Sequence, residues 1–473
     1  MYQAYITKLK NVRPHHNADK MLLADCFGNT VCVGLDAQEG DVVIYFPTDG
    51  QLSKAYAELN NLVRIKNEDG TYSGGYLDPD KRNIKAIKLR GEKSDGLTMP
   101  LSSLDAFGDT STLKVGDTIS VFNGHEICKK YIPRGREKTP GSYANGNKTR
   151  KKKSAPLAPL FAEHVDTAQL AYNLDAFRIG DEIEITLKMH GTSQRTGYLP
   201  VFKGYNPDFW GRIANSVDPN KKLGKLARSL YERSLRYATP IYDWGYVHGT
   251  RRTVMADFEG LTSFYGSNKF REPHAKMFEG KLHKGETVYY EIVGFTDSGT
   301  PIMGTCINKK TNDKEFIKKY GEVTTFSYGC ETPQSALYVY RMTMTNEDGH
   351  VMELTPDYMR YRCEQMGVEC CPLLAKALIR KEGIIVDDCY GESYGVPYEG
   401  SIGETLKMIS EKYYDGPDPI GKNHVREGVV VRVVNRPKFT AFKDKNFMFK
   451  VISGIISDSV NAENTNEDIL SEM

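Results

Sequence analysis

A lysine stands at the end of a run with strand alternation. Ile183, Ile185 and Leu187 alternate with polar residues, and Lys188 is followed three positions later by Gly191. A lysine held at a strand end is partly desolvated, which lowers its pKa toward the neutral amine that attacks an electrophile. Gly191 would turn the chain there without a side chain in a ligand's way. Lys-x-x-Gly by itself fits a surface lysine beside a turn equally well, so its weight depends on the stretches downstream.

Those stretches supply what an amine attacking a nucleotide phosphate needs. His248-Gly249-Thr250-Arg251-Arg252 places two arginines after a Gly-Thr turn, where planar guanidinium groups can meet phosphate oxygens bidentately. Residues 287–295 read as an apolar strand with Glu291 in its middle. A carboxylate in that setting needs a counter-ion, a metal or a ligand hydroxyl such as those of ribose. Residues 337–343 carry Tyr338 and Tyr340 two apart, hence on one face of a strand, for stacking on a base or for ordinary sheet packing. Glu427 heads an apolar strand over 428–433, suited to holding a divalent cation over phosphates. Residues 446–453 read as a strand with one lysine, Lys450, that requires an anionic partner.

The elements that must position these residues fall into two groups. At 473 residues the chain has room for two or three domains, and 40% hydrophobic with 26% charged residues is ordinary for a soluble globular protein. Formal net charge is only +2, so any affinity for polyanions depends on where the charges sit. Nine irregularly spaced cysteines suit a reducing compartment. Cys363, Cys370, Cys371 and Cys389 lack the paired Cys-x-x-Cys spacing of a zinc site. With no leader-like start and no apolar run of bilayer length, the expectation is a cytoplasmic monomer without membrane contact.

From 1 to 130 the chain reads as short strands at 21–27, 30–34, 40–46 and 118–121 with frequent turns, which suggests a small closed or nearly closed barrel that binds nucleic acid across one face. From 131 to 159 the composition turns to a flexible basic linker ending in Lys151, Lys152 and Lys153, read either as a polyphosphate contact or as a solubilising tether. Residues 221–233 form a helical pattern with Leu223, Leu226 and Leu230 on one face and basic residues on the other; it either lies along a nucleic acid backbone or presents a solvated face.

Taken in order, these stretches resemble the covalent nucleotidyltransferase superfamily of polynucleotide ligases and mRNA capping enzymes. Lys188-Met189-His190-Gly191 is similar to motif I, Gly249-Thr250-Arg251-Arg252 to motif Ia, and Tyr290-Glu291-Ile292-Val293-Gly294 to motif III. Leu337-Tyr338-Val339-Tyr340 is similar to motif IIIa, Glu427-Gly428-Val429-Val430 to motif IV, and Phe449-Lys450-Val451 to motif V. A barrel placed before the motifs resembles the RNA ligases with an N-terminal oligonucleotide-binding (OB) domain. Three departures stand out: His190 replaces a common aspartate, Met448 replaces the first lysine of a Lys-x-Lys pair, and such a pair, Lys443 and Lys445, lies nearby in a poorer strand context.

The resemblance implies an α+β chain: an OB-like β-barrel over 1–130, the linker over 131–159, an adenylyltransferase domain of antiparallel sheets with flanking helices over 160–458, and a polar tail over 459–473. It implies ATP-dependent joining of 3′-hydroxyl and 5′-phosphate ends of RNA or an RNA-containing nicked duplex, with Mg2+ or Mn2+. Lys188 would carry AMP, Lys450 would hold the α-phosphate and Glu427 the metal. Gly191, Arg251, Glu291 and Tyr338, preferred over Tyr340, would complete the nucleotide site. Arg251, Arg252 and Lys151, Lys152 and Lys153 would meet RNA. A GTP-dependent capping guanylyltransferase and a non-catalytic RNA-binding protein are the alternatives.

Overall fold

The structure, a computed structural model, describes residues 2–69, 71–132, 155–206, 209–218, 220–234, 239–255, 257, 258, 265 and 267–458. Lys151, Lys152, Lys153 and the tail 459–473 lie outside the described residues.

Two large sheets position most of the motifs. The first has seven strands in the order Ala168–Gln169, Thr440–Lys445, Gly428–Val433, Glu182–Lys188, Leu373–Arg380, Gly383–Asp388 and Ser393–Val396, antiparallel except at the Ala168–Gln169 edge. The second has six antiparallel strands in the order Val254–Met255, Pro240–Gly249, Thr192–Tyr205, Glu286–Gly294, Ser335–Thr345 and Val351–Glu353. Alternation read from the sequence sets their packing: Ile183, Ile185 and Leu187 are buried together with Val429, Val431, Val288 and Ile292 in one apolar core between the sheets. Among the flanking helices, Ile402–Tyr414 starts with a reciprocal capping box between Ser401 and Glu404. Pro356–Met366 is capped by the Thr355 hydroxyl and stops at Gly367 in the left-handed region, φ 67°.

Residues 4–130 form smaller sheets. One has the order Leu97–Pro100, Val42–Phe46, Ala4–Lys8, Thr118–Ile119, and a second is the meander Lys10–Pro14, Leu22–Cys26, Asn29–Val33. The α+β class holds; a closed barrel is not shown, because no sheet among the described residues closes. The chain passes from one sheet to the other at the buried Leu9. Strand Val42–Phe46 is covered on both faces: Ile44 and Phe46 enter one apolar cluster, Val43 and Tyr45 another. Part of the second covering comes from beyond the linker, where Tyr172 stacks on Tyr5 at 4.5 Å and meets Phe27 edge-on at 5.4 Å.

Candidate nucleotide-binding site

Strand register, more than proximity in sequence, assembles the site. Lys188 is paired across the first sheet with Gly428, and Gly428 is paired on its other side with Lys445. Three neighbouring strands therefore bring their chemistry level with one another. Lys188 Nζ lies 2.8 Å from Glu427 Oε1, and Lys445 Nζ lies 3.4 Å from the same oxygen. Glu427 is fully buried. Burial alone would raise its carboxyl, but the Lys188 and Lys445 ammonium groups and the His190 ring outweigh it and hold Glu427 well below the usual carboxylate range.

His190 sits behind this cluster. Its Nδ1 is 3.6 Å from Glu427 Oε2, its ring meets Phe326 and Phe449 edge-on at 4.7 Å each, and its backbone N–H donates to the Tyr328 hydroxyl at 2.7 Å. The residue that departs from the common aspartate is thus a buried neighbour of Glu427. Gly191 then lets the chain cross from the first sheet to the second. A Cβ there would stand 2.3 Å from the Ile292 carbonyl oxygen and 3.0 Å from the Glu291 side chain, so glycine is required for the close approach of the two sheets.

Between the sheets lies a cleft lined by Lys188, Glu291, Arg251, Tyr340, Val430 and Cys371 among others. Glu291 is buried on the strand Glu286–Gly294, between Ser193 and Tyr338 in register. Arg251 and Arg252 follow the strand Pro240–Gly249 and share the Asp166 carboxylate at 3.0 and 2.9 Å; only Arg251 lines the cleft.

Two expectations are corrected here. The tyrosines two apart do not both face the cleft. Pairing shifts between Tyr289 opposite Arg341 and Tyr290 opposite Val339, so Tyr340 is the extra residue of a bulge. Tyr340 lines the cleft with its hydroxyl 2.8 Å from Ser193 Oγ, while Tyr338, the preferred residue, does not line it. Second, residues 446–453 are not a strand. They open the helix Phe447–Asp458, capped by Asn446, whose Oδ1 accepts from Phe449 N–H at 3.1 Å. Lys450 on that helix donates to Asp95 Oδ2 at 2.6 Å, far along the sequence in the first unit, and it is Lys445 that stands at Glu427.

Sequence reasoning set Lys443 and Lys445 aside because Thr440–Lys445 makes a poor strand pattern. The reason is now visible: Asp444 points away from the cleft and is buried, its Oδ2 accepting from Ser410 Oγ at 2.6 Å. The cap residue Asn446 was the signal that could have marked a helix start. Other cleft residues, such as Glu184 gripped by Arg360 at 2.6 and 3.0 Å, carried no signal.

A two-sheet fold with a lysine at the base of the intervening cleft defines the chain's structural class. No protein-family model and no curated protein sequence matches it. Solved structures do. Naegleria gruberi RNA ligase with PPi superposes with a TM-score of 0.52 over 94% of this chain and 97% of that one, at 15% identity. A mutant of that ligase with ATP and Mn gives 0.52 over 94% and 98% at 15% identity, and another with AMP and Mn gives 0.51 over 94% and 97% at 14%. At such identities the likeness is one of fold, and it extends over nearly the whole of both chains. Among the described residues no helix is long and apolar enough to cross a membrane.

Proposed function

We propose that the chain is an ATP-dependent RNA ligase that joins 3′-hydroxyl and 5′-phosphate ends through lysyl-AMP and 5′-adenylated RNA. The observation that carries this reading is the Lys188–Glu427–Lys445 cluster, in which Lys188 lines the cleft between the sheets. In this reading 160–458 holds the reaction, 1–130 faces RNA, and 131–159 tethers the two ahead of the tail 459–473.

In the first step the Lys188 amine bonds to the α-phosphorus of ATP while the bond from that phosphorus to the bridging oxygen breaks, and pyrophosphate leaves with the electron pair. Lys188 must first shed its ammonium proton; its side chain keeps 15% of its surface exposed, so solvent receives it. Lys445, in the place assigned from sequence to Lys450, offsets the negative charge that grows on the α-phosphate. Glu291 accepts from the ribose, Tyr340 and Val430 flank the base, and Arg251 holds phosphate oxygens. In the second step an oxygen of the RNA 5′-phosphate displaces Lys188 from AMP, and the lysine regains its proton beside Glu427. In the third the 3′-hydroxyl attacks that activated phosphate and AMP departs.

The donor set fits a divalent ion. Glu427 Oε1 is ion-paired with Lys188 and Lys445, while Glu427 Oε2 and His190 Nδ1 lack a hydrogen-bond partner among the described residues, and those residues hold no group of three His, Cys, Asp or Glu side chains that would cage a metal. One carboxylate supplemented by water and substrate phosphates is how Mg2+ or Mn2+ is commonly held. Bound at Glu427, the ion would supply charge neutralisation at the phosphates.

The test is incubation with labelled ATP and, separately, labelled GTP. The expected outcome is a covalent AMP adduct in the native chain and none in Lys188→Ala. An adduct that survives in Lys188→Ala overturns the assignment, and an adduct formed with GTP alone moves the chain to the capping reaction.

A further inference from the structure

The strands that flank the cleft run on past the sheet they belong to. Thr192–Tyr205 pairs with Pro240–Gly249 from Arg195 to Tyr205, whereas its other neighbour, Glu286–Gly294, accompanies it only from Thr192 to Gly197. Beyond Gly197 the pair is a two-stranded ribbon, and Tyr198 to Tyr205, at about 3.3 Å per residue, carries it about 25 Å outward. An isolated ribbon of two strands is marginal in water. This one is stiffened on both faces. Leu199 and Val247 pack with Ala158 and Phe161 on one side, and on the other Tyr198 stacks on Tyr246 at 4.8 Å with Trp244 at 5.9 Å.

Two helices packed on each other, Phe209–Ser216 and Lys222–Ser234, lie in the chain between the two strands of the ribbon. Ala214, Gly224 and Ala227 are buried, while Arg212, Lys221, Lys222, Lys225 and Arg228 are exposed. None of these five cations has a carboxylate partner among the described residues. Residues 209–234 contain six Lys and Arg against two Asp and Glu, a net +4 in a chain whose total is +2. On the second helix Lys222, Lys225 and Arg228 are spaced three apart, a like-charge arrangement that is destabilising unless an anion neutralises it. Glu232 is the one acid on this helix, so cations dominate its exposed face.

The geometry points to an arm that clamps the sugar-phosphate backbone of the RNA duplex beside the joint, and we infer this on the basis of the ligase reading of the cleft. The arm is rooted where such a duplex would begin. Met189 and Arg251, which line the cleft, lie within three residues of Thr192 and Gly249, so both of its strands start beside the cleft wall. A break seated at Lys188 would leave one flank of the duplex running alongside the arm, within reach of its cations. Binding of this kind reads phosphates rather than sequence.

The experiment uses the full chain with Lys221, Lys222, Lys225 and Arg228 all changed to Ala, beside a second variant, Lys222→Arg with Lys225→Arg. Affinity for a nicked RNA duplex is measured over a series of salt concentrations, and adduct formation with ATP is followed in parallel. Each lost phosphate contact flattens the log-affinity against log-salt slope by about 0.9, so the alanine variant should lose about 3 to 4 from the slope and bind at least about tenfold more weakly at low salt. The arginine variant should keep the native slope. Equal slopes and affinities for the native and alanine chains would overturn the arm. So would loss of binding to anionic lipid vesicles with duplex binding intact, since the exposed Leu223 and Leu226 among the cations would then serve a lipid surface. A native chain that forms no adduct with ATP refutes the ligase reading itself, a result distinct from either of these.

Discussion

Lys445→Ala and Lys450→Ala should fail in different ways, because the two lysines face different carboxylates. Lys445 Nζ is 3.4 Å from Glu427 Oε1, which Lys188 Nζ also approaches to 2.8 Å. At an effective dielectric of about 20 each attraction is worth about 5–6 kcal/mol before desolvation is subtracted, so Lys445 contributes a large share of the local positive field. Removing one preorganised charge donor of this kind slows a group transfer by about 10²–10³-fold. Lys450 instead donates to Asp95 at 2.6 Å, with side chains 18% and 8% exposed. Its loss strands Asp95 and should cost about 1–3 kcal/mol in the packing of the first unit against the C-terminal helix, seen as a few degrees in the first thermal transition. The assay is the single-turnover rate of AMP adduct formation under limiting ATP, paired with thermal unfolding. Lys445→Ala is expected to lose the adduct rate with only a modest drop in melting temperature, because Lys188 still pairs Glu427; Lys450→Ala is expected to melt earlier and keep its rate within about threefold. Loss of adduct in a stably folded Lys450→Ala, with Lys445→Ala unaffected, would refute the reasoning from strand register.

Two further outcomes follow from the same geometry. Tyr340→Ala should raise the KM for ATP by about 2- to 12-fold, the equivalent of a lost aromatic contact of about 0.5–1.5 kcal/mol, while Tyr338→Ala leaves it near native, as measured by adduct formation against ATP concentration. Glu427→Gln should abolish metal-dependent adduct formation and destabilise the fold at pH 7, near the lower end of the roughly 3–5 kcal/mol for breaking a buried pair, because its two lysine partners stay 15% and 17% exposed. The Glu427 carboxyl is held below its ordinary value, so its contribution is present above the unfolded glutamate pKa of about 4.3 and lost as pH falls through the lower folded value. Denaturant melts of native and Gln chains should therefore differ most at pH 5 and above and converge in strong acid; a constant gap across pH would refute that role.

Lys188, Glu427 and Glu291 were legible because each interrupts an apolar alternation at a strand end or centre, where a charge needs a reason. Arg251 was legible from the Gly-Thr turn before it. The second lysine was not, and the cause is physical. Strand Thr440–Lys445 buries an aspartate on one face, satisfied by Ser410, and turns Lys443 and Lys445 to the other, so its hydrophobic pattern is nearly erased. The run after it is rich in Phe, Met, Val and Ile, which a buried strand and a buried helix share. Helix Phe447–Asp458 buries Phe447, Phe449 and Ile452, and only the Asn446 cap distinguishes the two cases locally. The Tyr340 bulge is likewise a property of two strands together, set by the pairing of Tyr289 and Tyr290 with residues about fifty positions away.

The open sheets of the first unit follow the same logic. Strand Val42–Phe46 has nearly continuous burial because Tyr172, across the linker, covers the face that a lone barrel would leave to its own interior or to solvent. Local pattern reports how many faces of a strand are buried but not what buries them. In this chain the docking of two units accounts both for the covered face of Val42–Phe46 and for the Lys450 ammonium that finds its anion in Asp95 instead of in a phosphate. A lysine in an apolar run therefore identifies the need for a negative partner, and only the assembled sheets decide whether that partner belongs to the chain or to its substrate.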